Sequence, residues 1–144
     1  MEEQQFCTFS LDSLFFGVEV QRVQEVLRAQ AMTRVPLAPP VVHGLINLRG
    51  QIVTAIDLRR RLELRERSAD RAPMNVVVRT DDGAVSLLVD DIGDVIQVDE
   101  DTFERPPETL GDAARELIRG AYKLKSRLLL VLDPWRTIDP ESCN

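Results

Sequence analysis

The sequence contains few of the residues that most enzymes use for catalysis or metal binding. Its 144 residues include two cysteines, one histidine, seven glycines and two lysines. Cys7 and Cys143 lie at opposite ends without CxxC or Cys/His spacing, which excludes a disulfide framework and a zinc motif. The glycines are scattered, so no GxGxxG or GxxxxGK motif is available to hold a nucleotide. The longest uncharged apolar run, Leu128–Leu132, is far shorter than the roughly 20 residues of a transmembrane helix.

The N-terminus and the charge distribution indicate where the chain works and what it binds. MEEQQF is acidic where a signal peptide would be basic and then apolar, so we expect a cytoplasmic protein with reduced thiols. The net charge is −6, and Asp81–Glu104 holds nine acidic residues and no basic one. Arg59–Arg71 forms the opposite pole with six arginines. This bipolar pattern favours steering toward a protein partner over binding to nucleic acid or insertion into a membrane.

Short apolar segments separated by turn residues recur about every 8–12 positions, which is typical of a β-barrel or sandwich. We therefore predict an all-β fold of about nine or ten strands with short helices. Single strands are predicted at Gln51–Asp57 and Ile92–Val98, and Arg49-Gly50 is the predicted turn before the first of these. The predicted hairpins join Phe6–Leu11 to Leu14–Glu19, Met74–Thr80 to Ala84–Val89, and Ile118–Leu124 to Arg127–Leu132.

The predicted helices are short. Val20, Val23 and Leu27 have the i, i+3, i+7 spacing of an amphipathic helix. Leu58 and Leu62 indicate a helical turn whose arginines face water, and Pro134 is suited to open a last helix.

The remaining segments of the predicted fold are loops and corners. Residues 65–73 are charged, small and proline-ended, which predicts a lobe boundary or a long loop. Met32–Val35 has the pattern of a further strand, and Asp90, Asp91 and Asp94 indicate a water-facing β-corner rather than a metal site.

Three alternative functions rest on single features. His43, beside Gly44 in a predicted loop, has no local partners for a catalytic triad or a metal site. Asp57, at the end of an apolar strand, could be the phosphoacceptor of a receiver domain, although the paired acids and the βα alternation of receivers are missing. The arginines of Arg59–Arg71 could bind nucleic acid in a small barrel, but no exposed aromatic residues interleave with them.

The segment at residues 42–59, VHGLINLRGQIVTAIDLR, is the most distinctive in the chain. It closely resembles the G-x-x-N-L-R-G-x-I-V-x-x-I-D-L-R motif of the CheW family of chemotaxis coupling proteins. The resemblance covers roughly residues 5–138 as a single domain and leaves 139–144 as a tail. Further ordered matches to the family are Phe16-Gly17-Val18, Val23–Leu27, Thr33–Pro36, Val89–Val95 and Leu129–Asp133.

The resemblance implies a fold and a non-enzymatic role. CheW-like proteins fold as two small five-stranded β-barrels around a shared hydrophobic seam. They catalyse nothing and need no cofactor or metal. They couple the histidine kinase CheA, through its CheW-like regulatory domain, to the cytoplasmic tips of methyl-accepting chemotaxis receptors.

Six residues are the partner-binding candidates that the resemblance implies. Val23 and Glu25 are expected on the short helix, where Val23 could equally belong to the core. The other four are expected in the motif loop, namely Gly44, Asn47, Arg49 and Gly50. Each of these has a structural alternative: the glycines could serve backbone conformation, Asn47 could cap the turn, and Arg49 could brace the two lobes.

Overall fold

The structure, a computed structural model, describes residues 3–28, 30–65, 72–81, 83–108 and 110–138. Most of the predicted lobe boundary at 65–73 and the whole tail at 139–144 lie outside these residues. The helices are α1 (Leu58–Arg61), α2 (Asp112–Leu117) and α3 (Pro134–Ile138), with 3₁₀ turns at Val20–Arg22 and Glu100–Thr102. The strands are β1 (Glu3–Leu11), β2 (Leu14–Glu19), β3 (Val23–Leu27), β4 (Val42–Leu48), β5 (Gln51–Asp57), β6 (Met74–Thr80), β7 (Gly83–Val89), β8 (Asp91–Asp99), β9 (Phe103–Glu104), β10 (Ile118–Lys123) and β11 (Leu128–Leu132).

The strands form two sheets, which confirms the predicted fold class. One sheet has the order β8-β1-β2-β11-β10-β9 and the other has the order β3-β6-β7-β5-β4. Neighbouring strands are antiparallel except for two parallel pairs, β2 with β11 and β5 with β7. The first sheet has six strands rather than the predicted five because the two-residue β9 pairs with β10.

The core consists of three hydrophobic clusters, and strand periodicity explains why several strands are apolar throughout. Successive side chains of a strand point to opposite faces of its sheet. In β11, Leu130 and Leu132 join a large cluster that draws residues from both sheets, whereas Leu129 and Val131 join a smaller cluster with Phe6. The large cluster is therefore the seam between the lobes, and the smaller clusters fill each lobe.

The three predicted hairpins are confirmed, as are the strands over Gln51–Asp57 and Ile92–Val98 and the last helix beginning at Pro134. The prediction of a strand at Met32–Val35 is wrong. Only an isolated bridge forms there, between Thr33 and Leu45. The prolines that follow, beginning at Pro36, lack an amide hydrogen and prevent this bridge from extending into a ladder.

The prediction of a helix through Val23 and Leu27 is wrong, because Val23–Leu27 is strand β3 and only Val20–Arg22 is helical. A β-bulge between Val23 and Glu25 inserts an extra residue into the pairing of β3 with β6. The bulge shifts the alternation of side chains, so Val23 packs against the large cluster and Leu27 against a smaller one, and the two do not share one face as the helical spacing implied. Pairing with β6 satisfies the backbone and decides the outcome.

The prediction that the arginines of α1 face water is wrong for two of the three. Arg59 and Arg61 are only 7% and 5% exposed. Arg61 donates to the Arg136 and Thr137 carbonyls at the end of α3. Asp90 is likewise buried rather than water-facing, because it pairs with Arg59. Buried charges are paired in this way in most proteins.

In the part of the chain that the structure describes, no helix is both long enough and apolar enough to cross a lipid bilayer.

Candidate partner-binding site

The motif at residues 42–59 folds as a β-hairpin followed by a short helix, not as a loop. Gly44 and Asn47 lie on β4, and only Arg49 and Gly50 form the connecting turn. His43, also predicted in a loop, is on β4 and is exposed. Ile46 and Leu48 alternate with the polar Asn47, which is typical of a strand, but the glycines at 44 and 50 favoured a loop in the sequence.

The turn between β4 and β5 has two residues, and both have positive φ. Leu48 pairs with Gln51, so Arg49 (φ 52°) and Gly50 (φ 87°) alone reverse the chain. Two positive φ values in a two-residue hairpin are typical of a type I′ turn, in which glycine is strongly favoured at the second position. The Gly50 amide donates to Asn47 Oδ1 at 2.9 Å. Asn47 therefore caps the turn and fixes the place where Arg49 leaves the backbone.

Arg49 forms a bidentate ion pair with Glu25 of strand β3. Arg49 Nη1 donates to Glu25 Oε2 at 2.9 Å, and Nη2 donates to Oε1 at 3.1 Å. The arginine side chain is 79% exposed, whereas the glutamate side chain is 17% exposed. One edge of the planar guanidinium is thus held in place while the rest remains open to solvent.

The ion pair also joins the two edge strands of the five-stranded sheet. β3 and β4 lie at opposite ends of the strand order, and the ion pair connects Glu25 of β3 to Arg49 in the turn that follows β4. The sheet is therefore curled toward closure. Arg49 braces one lobe from edge to edge, and the alternative that it braces the two lobes against each other is wrong.

Gly44 supports the same closure from the other end of β4. A Cβ placed on Gly44 would lie 2.8 Å from the carbonyl oxygen of Thr33, closer than real Cβ atoms come to backbone. Two backbone hydrogen bonds join Thr33 and Leu45 at 2.8 and 2.9 Å. Glycine is required here because the backbone at Thr33 pairs with the neighbouring Leu45 and leaves no room for a Cβ on Gly44.

Val23 lies at the start of β3 and is half-buried against the seam cluster. The sixth candidate is therefore partly a core residue, two positions before Glu25 on the same strand. Two apolar residues beside the ion pair in sequence are exposed: Val26 (44%), which follows Glu25, and Ile52 (61%), which pairs with Asn47 across the hairpin. Arginine and exposed apolar side chains together are the composition of interface centres.

The structure also contains an arginine–carboxylate cluster that sequence reasoning missed. Arg59 Nε donates to Asp90 Oδ1 at 2.9 Å, and Arg59 Nη2 donates to Asp12 Oδ1 at 2.6 Å and to the second Asp90 oxygen. Hydrogen bonds to Asp90, followed by those to Asp12, raise the pKa of Arg59 above its already high value. Asp12 belongs to the turn between β1 and β2, so this cluster ties the two lobes together.

The alternatives based on Asp57 and on the arginine segment lose support in the structure. Asp57 Oδ1 accepts from the Arg59 amide at 3.1 Å and its other oxygen lies 3.7 Å from Arg60 Nε, so Asp57 caps α1. The mostly antiparallel sheets are not the parallel βα sheet of a receiver. Burial of Arg59 and Arg61 removes two charges from any nucleic-acid surface.

Comparisons with known proteins agree along nearly the whole chain. Residues 5–141 match the model of the CheW-like domain family. The chain is 32% identical to the chemotaxis protein CheW of Bacillus subtilis (strain 168) over 139 residues, which cover 96% of this chain and 89% of that protein. It is 29% identical to the chemotaxis protein CheW of Treponema pallidum (strain Nichols), covering 92% and 80%. The crystal structure of the scaffolding protein TtCheW from Thermoanaerobacter tengcongensis superposes with a TM-score of 0.84 at 25% identity, covering 96% and 95%.

Proposed function

We propose a scaffold function in chemotaxis for this chain, because it belongs to the CheW-like domain family. The observation that carries the proposal is the joint match in sequence and fold to a solved scaffolding protein, over 96% of this chain and 95% of that one. The chain is a coupling adaptor built of two β lobes on one shared core. We propose that residues 5–138 work as a single domain.

The proposed partners are those that the family resemblance implies. One is the CheW-like regulatory domain of the histidine kinase CheA, and the other is the cytoplasmic tip of methyl-accepting chemotaxis receptors. The chain would hold both on the cytoplasmic side of the membrane, in a receptor array. An adaptor acts through binding free energy alone, so this role requires no catalytic residue, cofactor or metal.

We propose that the surface around the Glu25–Arg49 ion pair contacts a partner. Arg49 supports this because its guanidinium is fixed at one edge by Glu25 and open elsewhere, so little side-chain entropy is lost on binding. Ile52 is exposed and pairs with Asn47 beside the turn, so it supplies apolar area next to Arg49. The other candidates contribute by shape: Asn47 and Gly50 form the turn, Gly44 closes the sheet and Val23 anchors β3.

The coupling role is tested by reconstitution of kinase signalling. Membranes that contain the cognate receptor are mixed with CheA and labelled ATP, with and without the chain, and autophosphorylation of CheA is followed. We expect receptor-dependent activation of CheA only when the chain is present. Equal activation without the chain, or no activation with folded chain and active CheA, would contradict the proposal.

Two variants make the same assay specific for the proposed surface. Arg49→Glu places a negative charge beside Glu25 and should abolish most of the receptor-dependent activation. Lys125→Glu in the turn after β10 introduces the same charge change at an exposed position in the other lobe and serves as the matched control. Equal loss of activation in both variants would show that net charge, and not this surface, governs coupling.

A further inference from the structure

A four-residue turn before β4 presents a leucine to solvent in an unfavourable backbone conformation. The Ala38 amide donates to the Val35 carbonyl oxygen at 3.4 Å across this turn. Leu37 has φ of 66°, a region that favours glycine or asparagine, and its side chain is fully exposed. Val35 is also exposed. A leucine here adds nothing to the core and strains the backbone, so folding does not account for it.

Basic side chains surround the same turn. An open pocket of about 220 Å³ beside it is lined by Val35 and Ala38 together with Arg34, His43 and Arg60. Asp57 lies 3.7 Å from Arg60 and offsets part of that charge, whereas Arg34 and His43 are both exposed. The sequence from Val26 to Ile56 contains three arginines and no acidic residue. The acidic residues between 83 and 104 lie on or beside other strands, β7, β8 and β9.

We propose that the turn at residues 35–38 and the adjoining basic pocket form a second docking surface, for an acidic protein segment that carries an exposed apolar side chain. Leu37 would contact the apolar side chain, and Arg34, Arg60 and His43 would face the carboxylates. The identity of the partner as a component of the signalling complex rests on the proposed function. The expectation that the partner segment is acidic and carries an apolar side chain rests on the residues of the surface.

A protein segment fits this surface better than a polyanion does. A phosphate backbone offers no apolar group to cover Leu37 and Val35, and the chain as a whole carries a net charge of −6, which repels a nucleic acid. The surface is also chemically distinct from the Arg49 turn, because the guanidinium of Arg49 already holds a carboxylate from this chain.

Substitution of Leu37 should affect stability and partner affinity in opposite directions. Leu37→Asn removes the apolar side chain and suits the positive φ, so we expect the thermal midpoint of unfolding to rise or stay equal. We expect the dissociation constant for either the receptor's cytoplasmic fragment or the CheA regulatory domain to rise by about tenfold or more, the loss that follows from leaving a leucine contact unmade. Calorimetric titration of the full chain measures both affinities.

Charge variants separate the electrostatic part of the surface. Arg34→Glu should weaken the binding of the same partner, with the difference from wild type shrinking as salt is raised. Arg105→Glu changes the same charge at an exposed position outside the surface and should bind as wild type does. If Leu37→Asn and Arg34→Glu both bind both partners with wild-type affinity, the docking surface is overturned while the proposed function stands.

Two further results would also count against the proposed docking surface. If the wild-type chain binds neither partner, the proposed function fails, and the inference that depends on it fails with it. If instead the chain self-associates at higher concentration and Leu37→Asn abolishes this, the occupant is the acidic segment of a second copy, which would overturn the partner proposed here.

Discussion

Two arginines ten residues apart in the same motif use the same chemistry in opposite surroundings. Arg49 and Arg59 each hold a carboxylate through two nitrogen atoms. The Arg49 side chain is 79% exposed and the Arg59 side chain is 9% exposed. An exposed ion pair contributes little to stability, whereas a buried one cannot lose a partner without leaving an uncompensated charge. We infer that Arg59 maintains the fold and Arg49 is available for recognition.

The buried cluster should show the largest effect. Arg59→Met leaves the Asp90 carboxylate buried without its arginine, and Asp12 loses the same partner. We expect a loss of about 3–5 kcal/mol in the free energy of unfolding, measured by urea denaturation. Arg49→Met is the matched variant and should cost less than about 1 kcal/mol. Equal losses in the two variants would remove the distinction between the two pairs.

Asp90→Asn checks the same cluster from the carboxylate side. The amide keeps the shape of Asp90 but removes the charge that faces Arg59, so we expect a destabilisation between those of Arg59→Met and Arg49→Met. An unfolding free energy equal to that of the wild type would mean that Asp12 alone compensates Arg59.

The exposed pair should show its effect in binding instead. Arg49→Glu places two carboxylates together at the tip of the β4–β5 hairpin, so we expect at least about a tenfold loss of affinity for the CheA regulatory domain or for the receptor fragment, worth about 1.4 kcal/mol. The unfolding free energy should change by less than about 1 kcal/mol. Calorimetric titration and urea denaturation on the same preparation separate the two quantities. Unchanged affinity for both partners would remove Arg49 from the interface.

Asn47 tests whether the turn matters only through the position of Arg49. Asn47→Ala removes the acceptor for the Gly50 amide and should lower the unfolding free energy by about 1 kcal/mol, with a smaller loss of affinity than Arg49→Glu. Asn47→Asp keeps an oxygen at this position and is the control. A loss of affinity in Asn47→Ala as large as that in Arg49→Glu would indicate that Asn47 itself contacts the partner.

The smallest expected effect is the pH dependence of stability that comes from the buried Tyr122, a neutral side chain unlike the ion-paired Arg49 and Arg59. Burial, with a further contribution from nearby Glu100, raises the pKa of Tyr122 above its ordinary value of 10. The folded state therefore keeps Tyr122 neutral at pH values where the unfolded chain ionises it, and this contribution to stability is lost as the pH rises above about 10. Tyr122 is the only tyrosine, so tyrosinate absorbance reports it alone. A midpoint at or below 10 in the folded protein would contradict this, and Tyr122→Phe should remove the dependence.

The sequence predicted the positions of the strands better than it predicted which charged side chains are buried and how they pair. Turn residues and period-two alternation located the hairpins of β1–β2, β6–β7 and β10–β11, because these signals are local. The bulge in β3 defeated the same reasoning, since only pairing with β6 reveals the extra residue. The motif resemblance made Arg49 and Glu25 candidates for partner binding, yet nothing in it indicates that they form an ion pair.

Ion pairing between residues far apart in the sequence explains why the prediction that Arg59 faces water was wrong. Arg59 was predicted to face water because it stands among six arginines in thirteen residues, a composition that is usually solvated. Its partners are 47 and 31 residues away, in the β1–β2 turn and in the corner after β7. Asp12 and Asp90 each resembled an ordinary turn acid when considered alone. Their shared partner becomes visible only when the two lobes are placed together.

The most direct test of the difference between the two arginines is the partner affinity of the charge-swapped chain, Glu25→Arg with Arg49→Glu. The swap rebuilds an ion pair between the same positions but exposes a carboxylate where the wild type exposes a guanidinium. We expect unfolding like that of the wild type and binding as weak as that of Arg49→Glu alone. Affinity for both partners restored to the wild-type level would show that the pair only closes the sheet, and would contradict a recognition role for Arg49.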